Sequence, residues 1–237
     1  MSQTSEGIGK ALATAIKDDA VPARERRGTH IFQNSRRREI FTLLTTSPCL
    51  GTSELAARCG LAKNSVEWHI KTLIVSGYVV RHDAGRACAY YPEGLISHDR
   101  AIMFGIINTP RLGSLFRLAV TSPGLSQSEM ARSAGKSRQW VARGLGVLES
   151  AGLLNAVADG SNSRYYPTRL LPDMAEEFYG HSREFTEYII RRLAKEGGSP
   201  PTVTKKGLDR VLVEMGYQTR RFSMEIGINP YLTCLGC

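Results

Sequence analysis

The sequence of 237 residues lacks the motifs of common catalytic sites and the long apolar run of a membrane helix. It contains no Gly-rich phosphate loop, no H-E-x-x-H and no G-x-S-x-G, which disfavours an enzyme. No run approaches the roughly 18 apolar residues that a membrane helix needs. Its first residues also lack the basic start and long apolar core of a secretion signal. We therefore expect a cytoplasmic protein without catalytic activity and without a membrane partner.

The five cysteines are odd in number and scattered, so they do not form a disulfide framework. They are Cys49, Cys59, Cys88, Cys234 and Cys237. The last two have the C-x-x-C spacing of zinc and redox sites, but one such pair supplies only two ligands. We expect reduced thiols and no cofactor, and zinc at this pair only if another cysteine, a histidine or a partner chain completes the site.

The composition predicts a folded protein with an acidic partner. Hydrophobic residues make up 42% and charged residues 22%, and the length allows two or three small domains. The net charge is +9 and the pI about 9.5, which favours a partner such as nucleic acid. The excess lies in the middle of the chain: +1 over 1–34, +3 over 35–97, +5 over 98–172 and 0 over 173–237.

The stretch from Ser53 to Leu73 has the pattern of two short helices joined by a tight turn at Gly60. Its apolar side chains recur at spacings that place them on the inner faces of two crossing helices. Polar side chains are left on the outer face of the second helix, and a helix of this size fits the major groove of B-DNA. The outer set comprises Lys63, Asn64, Ser65, Glu67, Trp68, His69 and Lys71.

The pattern L-x-x-x-x-V-x-x-H-I-x-x-L from Leu61 to Leu73 is similar to the winged helix-turn-helix regulators of the ArsR and MarR kind. Residues 77–91 fit this resemblance, because they predict two strands and a turn that would form a β-hairpin wing. A helix predicted over 36–45 would be the first helix of the domain. The resemblance implies a prokaryotic or archaeal DNA-binding regulator, with Arg86 of the wing at phosphate or in the minor groove.

A shift of 75 residues superimposes the sequence on itself without a gap. Fifteen of the 47 positions from 46 to 92 are then identical, whereas chance gives roughly one in fifteen to twenty. Glycines recur after both helices and at the wing tip, where a positive φ is most useful. The positions that differ are mostly the outward-facing ones. The sequence therefore predicts two copies of one domain with different DNA-contacting faces.

The second copy predicts a more basic recognition helix, from Arg138 to Ala151, with Ser137 as its N-cap. Arginine can bond guanine, and asparagine or glutamine can bond adenine, through two hydrogen bonds each. The candidate DNA-binding residues of this copy are Lys136, Ser137, Arg138, Gln139, Trp140, Arg143, Asn162 and Arg164.

Some of these candidates have a structural alternative. Trp68 and Trp140 could contact DNA or cover the junction between helices, and His69 could contact a base or lie at the edge of the packed face. The run Arg36 to Arg38 could contact phosphates or begin a solvated helix. The tyrosine pairs at 90–91 and 165–166 predict wing structure more than stacking platforms.

The chain after Pro172 has a different character. Its pattern predicts helices over 173–196 and 205–215 and a strand over 218–227. Its zero net charge and surplus apolar face predict a homodimerisation or effector region. The expected fold is mainly α with a small β component: an N-terminal arm at 1–34, two tandem winged helix domains at 35–97 and 98–172, and a C-terminal helical region at 173–237.

The sequence therefore favours a transcriptional regulator that binds double-stranded DNA, associates with the nucleoid and forms a dimer. Two alternatives remain: an architectural, chromatin-type DNA-binding protein of low sequence specificity, and a winged helix module that contacts proteins in a larger complex. A third alternative is a redox or metal sensor that acts through Cys234 and Cys237, in addition to DNA binding.

Overall fold

The computed structural model describes residues 30–84 and 87–235, and the predicted arm at 1–34 lies mostly outside them. A single 3-10 turn, Ile31–Gln33, precedes the first helix. The first set of elements is α1 (Ser35–Thr46), α2 (Thr52–Cys59), α3 (Lys63–Val75), β1 (Val79–Ala84) and β2 (Ala87–Pro92). These bounds confirm the predicted helices and hairpin of the first copy to within a few residues.

The second set repeats this order. It comprises α4 (His98–Asn108), α5 (Pro110–Thr121), β3 (Leu125–Ser126), α6 (Gln127–Ala134), α7 (Arg138–Ser150), β4 (Leu154–Asp159) and β5 (Asn162–Pro167). Here α4 is the connecting helix, and α5, α6 and α7 correspond to α1, α2 and α3. Backbone hydrogen bonds recur 75 residues apart with nearly the same lengths: the Cys49 amide donates to the Tyr90 carbonyl at 2.8 Å, and the Gly124 amide to the Tyr165 carbonyl at 2.8 Å.

The remaining elements are α8 (Leu170–Lys195), β6 (Thr202–Lys205), β7 (Arg210–Tyr217), β8 (Arg220–Gly227) and α9 (Pro230–Leu235). The strands β6, β7 and β8 form an antiparallel sheet in that order. In the second copy the order is β3-β5-β4, and β1 pairs with β2. No helix within the described ranges combines the length and apolar character needed to cross a bilayer.

The predicted helix over 205–215 is wrong, because these residues belong to β6, the following turn and β7. Leu208, Val211 and Met215 fit a helical spacing, but Val211, Val213 and Met215 also alternate along a strand and all three are buried. Leu208 is 69% exposed. Gly207 has a φ of +94°, which a helix does not allow. The C-terminal region is therefore half helix and half sheet.

The apolar face of α8 packs inside the chain. Phe178 contacts Phe104 of α4 with ring centroids 5.6 Å apart. Farther along, the Arg192 guanidinium lies 4.9 Å from the ring centroid of Tyr78, and the Tyr78 hydroxyl donates to Glu196 at 3.1 Å. The surplus apolar face that predicted a dimer interface thus packs on the connecting helix α4 and on the first copy.

The strand β8 runs alongside α1 in the same direction. At one end the Arg38 guanidinium lies 5.1 Å from the Phe222 ring centroid. At the other end the Gly227 amide donates to Thr45 Oγ1 at 3.0 Å. The last sheet of the chain therefore covers the first helix of the first copy.

The close approach at Gly227 leaves no room for a side chain. A Cβ there would lie 2.6 Å from the Thr45 carbonyl oxygen, which is backbone and cannot rotate away. We expect Gly227→Ala to lower the free energy of unfolding by about 1–3 kcal/mol in urea denaturation, because the strand must shift. The control is Gly146→Ala in α7, where a Cβ meets nothing within 4 Å; it should raise stability by roughly 0.5–1 kcal/mol. Equal effects of the two changes would contradict the packing of β8 on α1.

Candidate nucleic-acid interface

The turns before α3 and α7 each contain a glycine in the left-handed region. Gly60 has a φ of 62° and Gly135 a φ of 61°, values that a side chain would strain. The amide after each glycine donates to the carbonyl five residues earlier at 3.0 Å. The same turn therefore presents α3 in the first copy and α7 in the second.

The helices α3 and α7 begin with the same backbone but different caps. Ser137 and Ala62 both have a φ of −67°, as helix N-caps do. Ser137 Oγ accepts a hydrogen bond from the Trp140 amide at 3.2 Å. Ala62 makes no side-chain cap hydrogen bond. The start of α7 is therefore more firmly fixed than that of α3.

The exposed face of α7 is basic. Lys136, Arg138, Gln139 and Arg143 are exposed, as is the cap Ser137. Within the described part of the chain, neither Arg138 nor Arg143 forms an ion pair, so both guanidinium groups are available to an anionic partner. The sequence prediction overlooked Arg132 in the last turn of α6, which is also exposed and basic. The sequence could have indicated Arg132, because it lies one turn before Gly135.

The exposed face of α3 is more nearly neutral. Lys63, Asn64 and Lys71 are exposed, and Ser65 is half-buried. Glu67 is exposed on the same helix. Both Glu67 and Lys71 line a groove toward hairpin β1–β2, together with Glu54 of α2. Carboxylates on this face oppose the approach of phosphates, so the two copies differ in electrostatics despite their common backbone.

The two tryptophans lie where a first helix meets a recognition helix. The Arg37 guanidinium lies 5.6 Å from the ring centroid of Trp68. The Arg111 guanidinium lies 4.8 Å from that of Trp140 and also donates to the Trp140 carbonyl at 2.7 Å. Both rings are half-buried. These contacts give each tryptophan a structural role and leave only part of its ring for DNA.

The exposed position predicted for His69 is wrong, because this side chain is only 6% exposed. It lies one position before Ile70 on the packed edge of α3, and its ring centroid is 4.9 Å from that of Trp68. The equivalent residue, Gly144, is also buried, and a Cβ there would lie 2.3 Å from Leu115 Cδ1. This position belongs to the packing in both copies.

The wing residues differ in availability. Asn162 is exposed at the tip of hairpin β4–β5. Arg164 is half-buried: it bonds Asp159 at 2.6 Å and the Gly124 carbonyl at 2.9 Å. These bonds hold the hairpin together and compete with phosphate. Arg86, the candidate in the first wing, lies outside the described residues.

The arginine run at the start of α1 is largely engaged in local contacts. Arg37 is 4% exposed, and Arg38 donates to the Phe32 carbonyl at 2.6 Å. Arg36 is exposed and pairs with Glu39 at 3.0 Å. A phosphate contact from this run is thus restricted to Arg36.

Side chains that could ligate a metal are dispersed. Residues 30–84 and 87–235 contain no group of three or more His, Cys, Asp or Glu side chains close enough together to hold a metal ion. Cys234 Sγ donates to the Thr46 carbonyl at 3.3 Å, and burial raises the pKa of its thiol to about 11. Cys237, its predicted partner, lies outside the described residues.

Residues 33–80 match the profile of a family described as winged helix-turn-helix DNA-binding. The match covers α1, α2, α3 and the start of β1. The first set of elements is therefore a winged helix-turn-helix of a DNA-binding type. Among curated proteins, none matches the sequence.

Two solved structures resemble parts of the chain at low scores. The DIP2311 protein from Corynebacterium diphtheriae has 17% identity over 56% of this chain and 26% of its own, with a TM-score of 0.22. ScpB from Mycobacterium tuberculosis has 12% identity over 58% of this chain and 92% of its own, with a TM-score of 0.24. This chain thus spans about a quarter of the DIP2311 protein. At these TM-scores neither structure bears on function.

The caps give a matched pair of substitutions. Ser137→Ala should lower the free energy of unfolding by about 0.5–2 kcal/mol, because the Trp140 amide loses its acceptor. Ala62→Ser should raise it by a similar amount, because the backbone already has the geometry of a cap. Urea denaturation of the two variants measures both changes. Effects of the same sign would show that the two helices do not begin alike.

Proposed function

We propose that the protein is a transcriptional regulator that binds double-stranded DNA through two tandem winged helix domains, with the second domain making the stronger contact. The role is binding without catalysis, at the nucleoid of the cytoplasm. The match over residues 33–80 supports DNA binding by the first copy. The recurrence of backbone hydrogen bonds at a spacing of 75 residues supports a second winged helix domain over α5 to β5.

The observation that carries this proposal is the exposed basic face of α7. In the proposed mechanism α7 enters a major groove, where Arg138 and Arg143 contact guanine edges or phosphates and Gln139 can bond adenine. The helix α3 would enter a neighbouring groove through Lys63, Asn64 and Lys71, with weaker attraction because of Glu67. Two unlike faces on one chain would recognise an extended site without internal symmetry.

Selection of bound duplexes from a random pool, followed by fluorescence anisotropy on the selected site, tests this function. Arg138→Ala and Arg143→Ala should each weaken binding by about 1–3 kcal/mol if the guanidinium contacts a base. If the contact is to phosphate, each change should reduce the salt slope by about 1. Lys63→Ala should have the smaller effect.

The matched control is Arg183→Ala with Arg191→Ala on the exposed side of α8, which removes the same charge. These variants should bind the selected site nearly as tightly as the unsubstituted protein. Equal losses of DNA affinity in the two pairs of variants would show that binding depends only on net charge. A ratio of selected to random affinity below about tenfold would favour the architectural alternative. No duplex binding at low salt would favour the protein-interaction module.

Homodimerisation through the C-terminal region is a second part of the proposal. It is supported by Tyr179 and Leu208, which are 72% and 69% exposed and line one groove between α8 and the turn after β6. Large apolar side chains exposed around one groove are typical of a contact surface. A symmetric dimer would let one protein engage two such DNA sites.

Sedimentation equilibrium of Tyr179→Ser and Leu208→Ser measures this contact. Each change should raise the dimer dissociation constant by at least about tenfold if the side chain is buried in the interface. Val75→Ser is the control, because Val75 is 81% exposed on a different element and should leave the dimer intact. A monomeric unsubstituted protein, or a dimer unaffected by both Tyr179→Ser and Leu208→Ser, would contradict this surface.

A further inference from the structure

A cavity of about 590 Å³ separates the first wing from the connecting helix α4. Its walls come from hairpin β1–β2, the start of α2 and one face of α4. Most of the lining is apolar, from Cys49, Ala89, Ala101, Ile102, Gly105 and Ile106. Its size and lining are those of a site for a small molecule.

The cavity exists because α4 covers the first wing. His82 of β1 is 6% exposed, and its ring centroid lies 4.5 Å from that of His98 at the start of α4. In the second copy the position equivalent to His82 is Val157, which is 53% exposed. The helix that follows the second wing, α8, packs on α4 instead. The cavity is thus a feature that distinguishes the first copy from the second.

The carboxylates of the cavity already have partners. Glu54 accepts a hydrogen bond from the Gly51 amide at 3.1 Å. Asp83 accepts from Arg81 Nε at 2.9 Å and from the Cys88 thiol at 3.1 Å. The bonds from Cys88 and Arg81 lower the pKa of Asp83, so it stays ionised.

The unused hydrogen-bonding capacity belongs to His82. Its Nδ1 atom is buried and has no hydrogen-bond partner among the described residues. A buried imidazole nitrogen without a partner is costly, and a molecule bound in the adjoining cavity would remove that cost by supplying the missing hydrogen bond. The ring can donate or accept one hydrogen bond, because neutral histidine has one nitrogen of each kind.

We propose that this cavity binds a compact, uncharged, mostly apolar molecule with one hydroxyl or carbonyl oxygen, which hydrogen-bonds to His82. An anion is disfavoured because the Arg81 and Asp83 charges cancel and Glu54 leaves the site negative. Binding of a cation would be only weakly favourable, because Glu54 and Asp83 already accept hydrogen bonds from the protein. Binding fixes the hairpin against α4, which leads through Thr109 into the second copy.

Three small probes test the ligand class: 2-phenylethanol, phenylacetate and 2-phenylethylammonium. They share a ring and differ in the charge of the end group. Two-dimensional NMR titration of the full chain should give saturable shifts with 2-phenylethanol at millimolar concentration. The two charged probes should bind at least about tenfold more weakly. His82→Phe, which keeps the ring and removes the nitrogens, should weaken 2-phenylethanol binding at least about fivefold.

The variant Gly105→Leu tests whether 2-phenylethanol binds in this cavity. A Cβ at Gly105 would lie 3.8 Å from Cys49 Cβ, an ordinary contact, so the longer side chain fills the cavity from the middle of a helix. This variant should lose 2-phenylethanol binding. Gly146→Leu is the matched control, because a Cβ there meets nothing within 4 Å and the residue lies in the helix α7, away from the cavity; it should bind 2-phenylethanol normally.

The result that overturns the proposal is no saturable binding of 2-phenylethanol up to ~20 mM, equal binding by Gly105→Leu, or tighter binding of a charged probe. If Gly105→Leu does not fold, Ile102→Trp narrows the mouth from a side chain that is 53% exposed and should have the same effect. These measurements use no DNA, so they stand apart from the test of the proposed function.

Discussion

A backbone bond between the segment before the helix-turn-helix and the returning strand of the wing is the constraint that the two copies share. The amide of Cys49 donates to the Tyr90 carbonyl at 2.8 Å, and Gly124 and Tyr165 form the same bond in the second copy. This bond joins the returning strand of the hairpin to the segment that leads into the helix-turn-helix. The donor residue has a positive φ in both copies, 67° at Cys49 and 85° at Gly124. In the first copy this residue is a cysteine, whose side chain makes the positive φ cost about 1 kcal/mol. In the second copy it is a glycine, which avoids that cost.

The two copies share this backbone arrangement, but different helices of the chain pack against them. The connecting helix α4 covers the first wing, and α8 packs against α4 and the end of α3. The second wing is left without a covering helix: from residue 155 onward β4 is exposed along its length. An uncovered hairpin and a basic recognition helix favour contact with nucleic acid. A covered hairpin and a more nearly neutral helix favour the binding of smaller or less charged molecules.

The sequence predicts what depends on local periodicity and misses what depends on distant contacts. The helices and the turns at Gly60 and Gly135 follow from apolar spacing and positive φ, which neighbours along the chain define. The burial of His69 does not, because an edge position on a helix is buried or exposed according to what packs there. Strand β7 was predicted as helix because its apolar residues satisfy both periods. The cavity beside His82 was also unpredictable, since α4 forms one wall and its docking is tertiary.

The contact between Gly227 and Thr45 joins residues 182 positions apart. The first helix of the first copy therefore has one face completed by the last sheet of the chain. During synthesis on the ribosome, the first copy emerges with that face open, and the second copy is made before the strand that closes it. Of the two copies, the one that is translated earlier is therefore completed only after the one that is translated later.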